Sequence, residues 1–119
     1  MPWHRLIDWF AGKRSGLPGS DMPLTLVTLS AVEAAEKAEV AFYSDAEYAA
    51  LVEWARMGRF ILALSASDRD ELTLLCVQTP DEMRAEVERL PLVSAGLATF
   101  DIRKVMPLRL INAANAQLQ

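Results

Sequence analysis

The chain has 119 residues, of which 52% are hydrophobic and 24% are charged, and its formal net charge at pH 7 is -4. This length suits one globular domain, and so apolar a composition excludes a largely disordered chain. The negative charge, without a cluster of Lys and Arg, argues against a nucleic-acid partner, because phosphate binding needs concentrated positive charge.

Residues 1–21 are predicted to form a short amphipathic helix followed by a Gly/Ser/Pro linker. The apolar side chains at helical spacing are Trp3, Leu6, Ile7 and Phe10. Basic residues follow this apolar part, which is the wrong order for a signal peptide, and no stretch reaches the roughly 18 apolar residues of a membrane span. We therefore expect a cytoplasmic protein without a membrane partner, with a domain over 22–111 and a flexible tail over 112–119.

The next elements in chain order are a strand and an Ala/Glu-rich helix. Residues 23–30, rich in leucine and β-branched side chains, predict the first strand. In the segment that follows, the surer helix begins at a capping box of Ser44 and Glu47 and ends near Gly58. Residues 33–43 leave three alternatives open: they continue this helix, form a separate helix, or bend into extended structure.

The second half of the chain is predicted to contain a hairpin, a helix and a last strand. Two apolar runs, 59–67 and 71–78, flank a polar loop, and their near-continuous apolarity indicates burial on both faces of a sheet. Three helix-start signals follow, namely Thr79, Pro80 and Glu82. Pro91 biases Leu90 away from helical geometry and ends that helix, and the chain returns at once as a strand over 97–105.

This order of elements predicts an α+β, ferredoxin-like βαββαβ fold, in which two helices cover one face of a four-stranded antiparallel sheet. The other face then needs a cover. Because the central hairpin is apolar on both faces, we expect a second copy of the chain to supply it. The expected assembly is a homodimeric α+β barrel, with a higher homo-oligomer left open.

The segment RLPLVSAGLATFDIRKVMPL, residues 89–108, resembles the closing segment of the muconolactone isomerase family. In that family a helix ends in a Leu-Pro-Leu turn and leads to a strand with an Asp-Ile step. These features are here Leu90-Pro91-Leu92 and Asp101-Ile102. Residues 47–67 and the turn PLVSAGL, residues 91–97, are also similar to YCII-related proteins, which share the dimeric α+β barrel. Taken together, the likeness covers residues 22–110.

The resemblance implies a small-metabolite-binding protein and an isomerase that moves a proton on a small organic acid or lactone without a cofactor. The alternative is a non-catalytic ligand-binding or assembly module of the YCII-related type. The chain lacks the Trp/Arg-rich stretch of the first family and the His-Asp pair of the second, which favours the module. With one cysteine and one histidine it also offers no Cys/His metal set.

Four residues are candidates for the ligand site. Alternation along the last strand places Ile102 toward the helices. Asp101 and Arg103 then point toward the proposed dimer core, where charge is costly to bury unless it is paired or serves a ligand. We interpret Arg103 as the carboxylate-binding residue and Asp101 as the catalytic base, with an interface ion pair as the alternative. Tyr48 and Trp54 offer flat apolar walls for ligand binding, with core packing as their alternative role.

Overall fold

A computed structural model describes residues 23–106 as seven elements that form one sheet and three helices. In chain order they are β1 (Leu24–Ala31), α1 (Lys37–Arg56), β2 (Phe60–Ser65), β3 (Glu71–Cys76), α2 (Pro80–Val87), α3 (Pro91–Ser94) and β4 (Ala98–Val105). The four strands pair antiparallel in the order β2-β3-β1-β4, an α+β arrangement compatible with a ferredoxin-like fold. The predicted N-terminal helix, linker and tail lie outside the described residues.

The helix α1 begins at Lys37, so the alternative that the segment 33–43 continues the helix is confirmed for residues 37–43, and the predicted capping box at Ser44 is wrong. Ser44 Oγ donates a hydrogen bond to the carbonyl oxygen of Val40 in its own helix, at 2.7 Å, instead of capping a helix start. The predicted end is confirmed. Gly58 adopts a φ of +73°, which favours glycine, and its N–H donates to the carbonyl oxygen of Ala55.

The helix α2 begins at the predicted capping box, whereas the connection after it differs from the prediction. Thr79 Oγ1 accepts from the Glu82 N–H, and Glu82 Oε1 accepts from the Thr79 N–H, each at 3.2 Å. Leu90 is extended as predicted. The predicted immediate return to a strand is wrong, because Pro91 takes the first position of α3, where its fixed φ suits a helix start.

The hydrophobic core fills the space between the three helices and one face of the sheet. Its buried side chains include Val27, Leu29, Leu51, Leu72, Leu74, Cys76, Met83, Val87 and Leu92. Ile102 packs against this core, as alternation along the last strand predicts. Within residues 23–106, no helix has both the length and the apolar composition that crossing a bilayer requires.

We call the face of the sheet that points away from the three helices the open face. The two strands of the predicted hairpin are confirmed as β2 and β3, with a bulge between Phe60 and Leu62. Within residues 23–106, burial on both faces of these two strands is not found. The open-face side chains Leu62 and Leu64 of β2 are 37% and 55% exposed, because no described element packs on them.

Candidate functional site

Cross-strand register aligns two neighbouring rows of side chains across all four strands of the open face. The first row runs Leu62, Leu75, Leu26 and Arg103, and the second row runs Leu64, Thr73, Thr28 and Asp101. Each row therefore begins with a leucine on the edge strand β2 and ends with a charged residue on the edge strand β4. The candidate site is this surface, which combines apolar, hydroxyl and charged groups.

Arg103 and Asp101 form an ion pair at the β4 end of the two rows. Arg103 Nε and Nη2 both donate to Asp101 Oδ2, at 3.3 and 3.2 Å. The two side chains are 66% and 61% exposed, so water screens their attraction and the pair adds little stability to a single chain. The structure places both residues on the open face, as alternation along the strand predicts, while their roles toward a ligand stay predictions.

Hydroxyl groups that sequence reasoning missed occupy the middle of the open face. Thr28 Oγ1 and Thr73 Oγ1 share a hydrogen bond of 3.3 Å between neighbouring strands. One pair further along the same strands, Ser30 Oγ donates to Glu71 Oε2 at 3.4 Å. Each hydroxyl can donate one hydrogen bond and accept others, so this part of the surface suits a small polar molecule.

Tyr48 and Trp54 lie on α1, on the opposite side of the sheet from the open face. Trp54 is 6% exposed and belongs to the core, where the guanidinium carbon of Arg59 lies 5.9 Å from the centre of its ring. Tyr48 is half-buried against the same core. Since the sheet separates this pair from Asp101 and Arg103, the four predicted site residues do not line one pocket within a single chain.

A cleft of about 670 Å³ lies at one end of the sheet, between the start of α1 and the turn that joins β2 and β3. Lys37 and Arg69 bring positive charge to its wall, and Glu33 and Glu71 bring negative charge. This mixture of signs selects no single class of ligand. Within residues 23–106, this cleft included, no three His, Cys, Asp or Glu side chains are grouped as a metal site.

Glu47 is fully buried, and it caps a different helix from the one that the sequence predicts. Its Oε1 accepts a hydrogen bond of 3.0 Å from the backbone N–H of Leu92, 45 residues further along the chain. Leu92 is the second residue of α3, and the N-cap residue Leu90 offers that helix no side-chain acceptor. The predicted cap of its own helix is therefore wrong, and Glu47 instead ties α1 to the start of α3.

Cys76 is a buried thiol in β3, as its apolar surroundings predict. Burial raises the pKa of the Cys76 thiol from its ordinary value of 9.0 to about 12. The folded protein therefore keeps this thiol protonated at neutral pH, and only the thiolate is a nucleophile.

We expect a thiol reagent to modify Cys76 slowly in the native protein and rapidly in concentrated urea. Above the ordinary pKa of 9.0 the unfolded chain loses the thiol proton and the folded chain keeps it, so stability should fall as the pH rises toward about 12. Mass spectrometry of the labelled protein at neutral pH tests the first expectation. Rapid labelling without urea would contradict the buried, protonated state.

The residues that carry the family resemblance lie on two neighbouring elements. The Leu-Pro-Leu sequence spans the start of α3, and the Asp-Ile step lies in the middle of β4. The resemblance to muconolactone isomerases and YCII-related proteins stays a prediction. A comparison of the sequence with models of protein families gives no match, and a comparison with curated proteins finds no similar one.

Proposed function

We propose that this protein binds a small organic acid and works as a homodimer of the α+β barrel type, with the ligand between the open faces of two copies. The observation that carries the proposal is the open face, where leucine, hydroxyl and charged side chains stand in register. Soluble monomers rarely leave such apolar surface in water. A second copy would bury Leu62 and Leu64 and would enclose the hydroxyl groups in the space between the sheets.

Arg103 is the proposed anchor for the acid group of the ligand. Its ion pair with Asp101 uses Nε and Nη2, and Nη1 can donate to a ligand carboxylate. Asp101, beside the bound acid, is the proposed base for an isomerase that moves a proton without a cofactor, as the resemblance to muconolactone isomerases implies. The hydroxyls of Thr28 and Thr73 would orient the rest of the molecule.

The second candidate function is a non-catalytic ligand-binding or assembly module of the YCII-related type. The observation that favours it is the placement of Tyr48 and Trp54 behind the sheet, which leaves the open face without an aromatic wall among residues 23–106. Such a module would use the same face to bind a second copy, and it would bind or enclose a compound without converting it.

Replacing Arg103 by methionine should weaken the binding of a carboxylate compound by roughly 1.5–3 kcal/mol, because a charge-assisted hydrogen bond is lost. The matched control is Lys104→Met, which removes a positive charge from the next position of β4, where the side chain points to the other face. Small organic acids that raise the melting temperature of the wild type would be titrated against all three proteins by calorimetry. Equal weakening in both variants would indicate an effect of net charge and contradict a specific anchor.

The enzyme and the module differ in what happens to a bound acid. An isomerase that moves a proton should exchange a C–H hydrogen of its ligand with heavy water, and Asp101→Asn should abolish this exchange while binding persists. Nuclear magnetic resonance of the ligand measures the exchange. An acid that binds more weakly to Arg103→Met, but whose C–H hydrogens never exchange with heavy water, would support the non-catalytic module.

A further inference from the structure

We infer that the two copies pack with their two-fold axis perpendicular to the strands, so that Asp101 and Arg103 of each copy form ion pairs with the partner's Arg103 and the partner's Asp101. The inference rests on the proposed function, since it takes the open face as the surface where two copies meet. It adds the orientation of the partner and the contacts that select it, which the proposed function leaves open.

The positions of the two rows of the open face determine which side chains of the two copies meet for each direction of the two-fold axis. An axis that lies between the stacked sheets and runs across the strands keeps each strand over the same strand of the partner and reverses its direction. When this axis also passes midway between the two rows, the first row lies over the partner's second row. On the β2 side Leu62 meets the partner's Leu64, and on the β4 side Arg103 meets the partner's Asp101.

An axis parallel to the strands gives a much poorer match. It would keep each row over the same row and place β4 over the partner's β2. The ion pair of Asp101 and Arg103 would then be buried against the partner's Leu62 and the partner's Leu64. The free energy that desolvation of the pair costs would not be offset by contact with opposite charges of the partner. Charge complementarity at β4 and apolar contact at β2 therefore both favour the perpendicular axis.

The reach of the side chains fits this contact. Stacked sheets lie about 10 Å apart, a gap that an arginine and an aspartate can bridge when they project from opposite sides. Within each chain the pair uses Nε and Nη2 of Arg103 and Oδ2 of Asp101. Nη1 of Arg103 and Oδ1 of Asp101 remain for the partner, so four charges of alternating sign would close one side of the space between the sheets. A ligand carboxylate would compete with the partner's Asp101 for Arg103.

Charge reversal at the two positions tests the contact between copies. Asp101→Arg gives two positive charges on each chain, and Arg103→Asp gives two negative charges, so each variant alone places like charges opposite each other. We expect the dimer dissociation constant of each variant to rise roughly tenfold or more, since like-charge contacts at an interface are strongly unfavourable. An equimolar mixture of the two variants should dimerise again, because the arginines of one chain then face the aspartates of the other.

The mixture separates a contact between chains from the ion pair within a chain, which mixing cannot restore. Analytical ultracentrifugation measures association, and circular dichroism checks that each variant is folded, as expected for exposed positions. Lys104→Asp changes the charge by the same amount as Arg103→Asp on the other face of β4, and it should leave the dimer intact. A folded pair of variants whose mixture stays monomeric would overturn the inference.

Two further outcomes distinguish this inference from the proposed function on which it rests. If the wild type is dimeric and each of the two single variants associates as tightly as the wild type, the reciprocal ion pairs are contradicted, whereas the proposed dimer is not. A wild type that is monomeric at all concentrations tested would overturn both, because no second copy would then meet the open face.

Discussion

Replacing Trp54 by alanine should lower the free energy of unfolding by about 3–5 kcal/mol, the usual cost of truncating a buried tryptophan. Trp54 is 6% exposed and lies in the core on α1. Its ring also contacts Arg59, whose Nη1 lies 3.0 Å from Glu86 Oε2 on α2. The ring thus helps to join the two long helices. Since a small domain has about 5–15 kcal/mol of stability in total, the loss would be a large part of it.

Urea unfolding followed by circular dichroism measures this loss as a lower midpoint at an unchanged slope. Trp54→Phe keeps an aromatic ring in the core and should lose less stability. The control Met57→Ala changes an exposed side chain just beyond the same helix and should alter stability by less than about 0.5 kcal/mol. A Trp54→Ala protein as stable as the wild type but unable to bind carboxylates would contradict the core role and support the predicted ligand role.

The order of strands and helices was predictable because the signals for it are local. The capping box of Thr79 and Glu82 forms between residues three positions apart, so the sequence contains the whole motif. Gly58 ends α1 through its own backbone conformation. The two strands of the hairpin are continuous apolar runs on either side of a charged turn. Each of these features is decided within a few residues.

The start of α1 and the existence of α3 were not predictable in the same way. Ser44 and Glu47 match a capping box, but the residues before them favour a helix so strongly that the helix starts earlier, at Lys37. The true hydrogen-bond acceptor for the start of α3 is Glu47, and Leu92 lies 45 residues away from it. No pattern within a short window connects two such residues.

One part of the candidate site is predictable from alternation along a single strand, and another part depends on how the strands pair. Alternation along β4 alone assigns Asp101 and Arg103 to the face away from the helices. The alignment of Thr28 with Thr73, however, depends on the register between β1 and β3, which a single strand does not show. The ring of Trp54 predicts a place in the ligand site, whereas its position on α1 decides that it packs into the core.

Replacing Glu47 by alanine should lower the free energy of unfolding by about 2–4 kcal/mol. About 1–3 kcal/mol would come from the Leu92 N–H, which would lose its buried acceptor. A further 1 kcal/mol, roughly, would come from the one buried methylene group that alanine removes. Because α3 is the element before β4, we expect local opening to increase most where the chain enters β4, the edge strand that holds Asp101 and Arg103.

Glu47→Gln separates the hydrogen bond from the charge of the carboxylate. A glutamine oxygen can still accept from the Leu92 N–H, so this variant should keep most of the stability that alanine loses. Amide hydrogen exchange provides the local measurement, and the Leu92 amide should exchange faster in Glu47→Ala than in Glu47→Gln. Glu53→Ala, an exposed change on the same helix, should leave that amide as it is in the wild type. Unchanged protection of the Leu92 amide in Glu47→Ala would show that the start of α3 does not depend on this carboxylate.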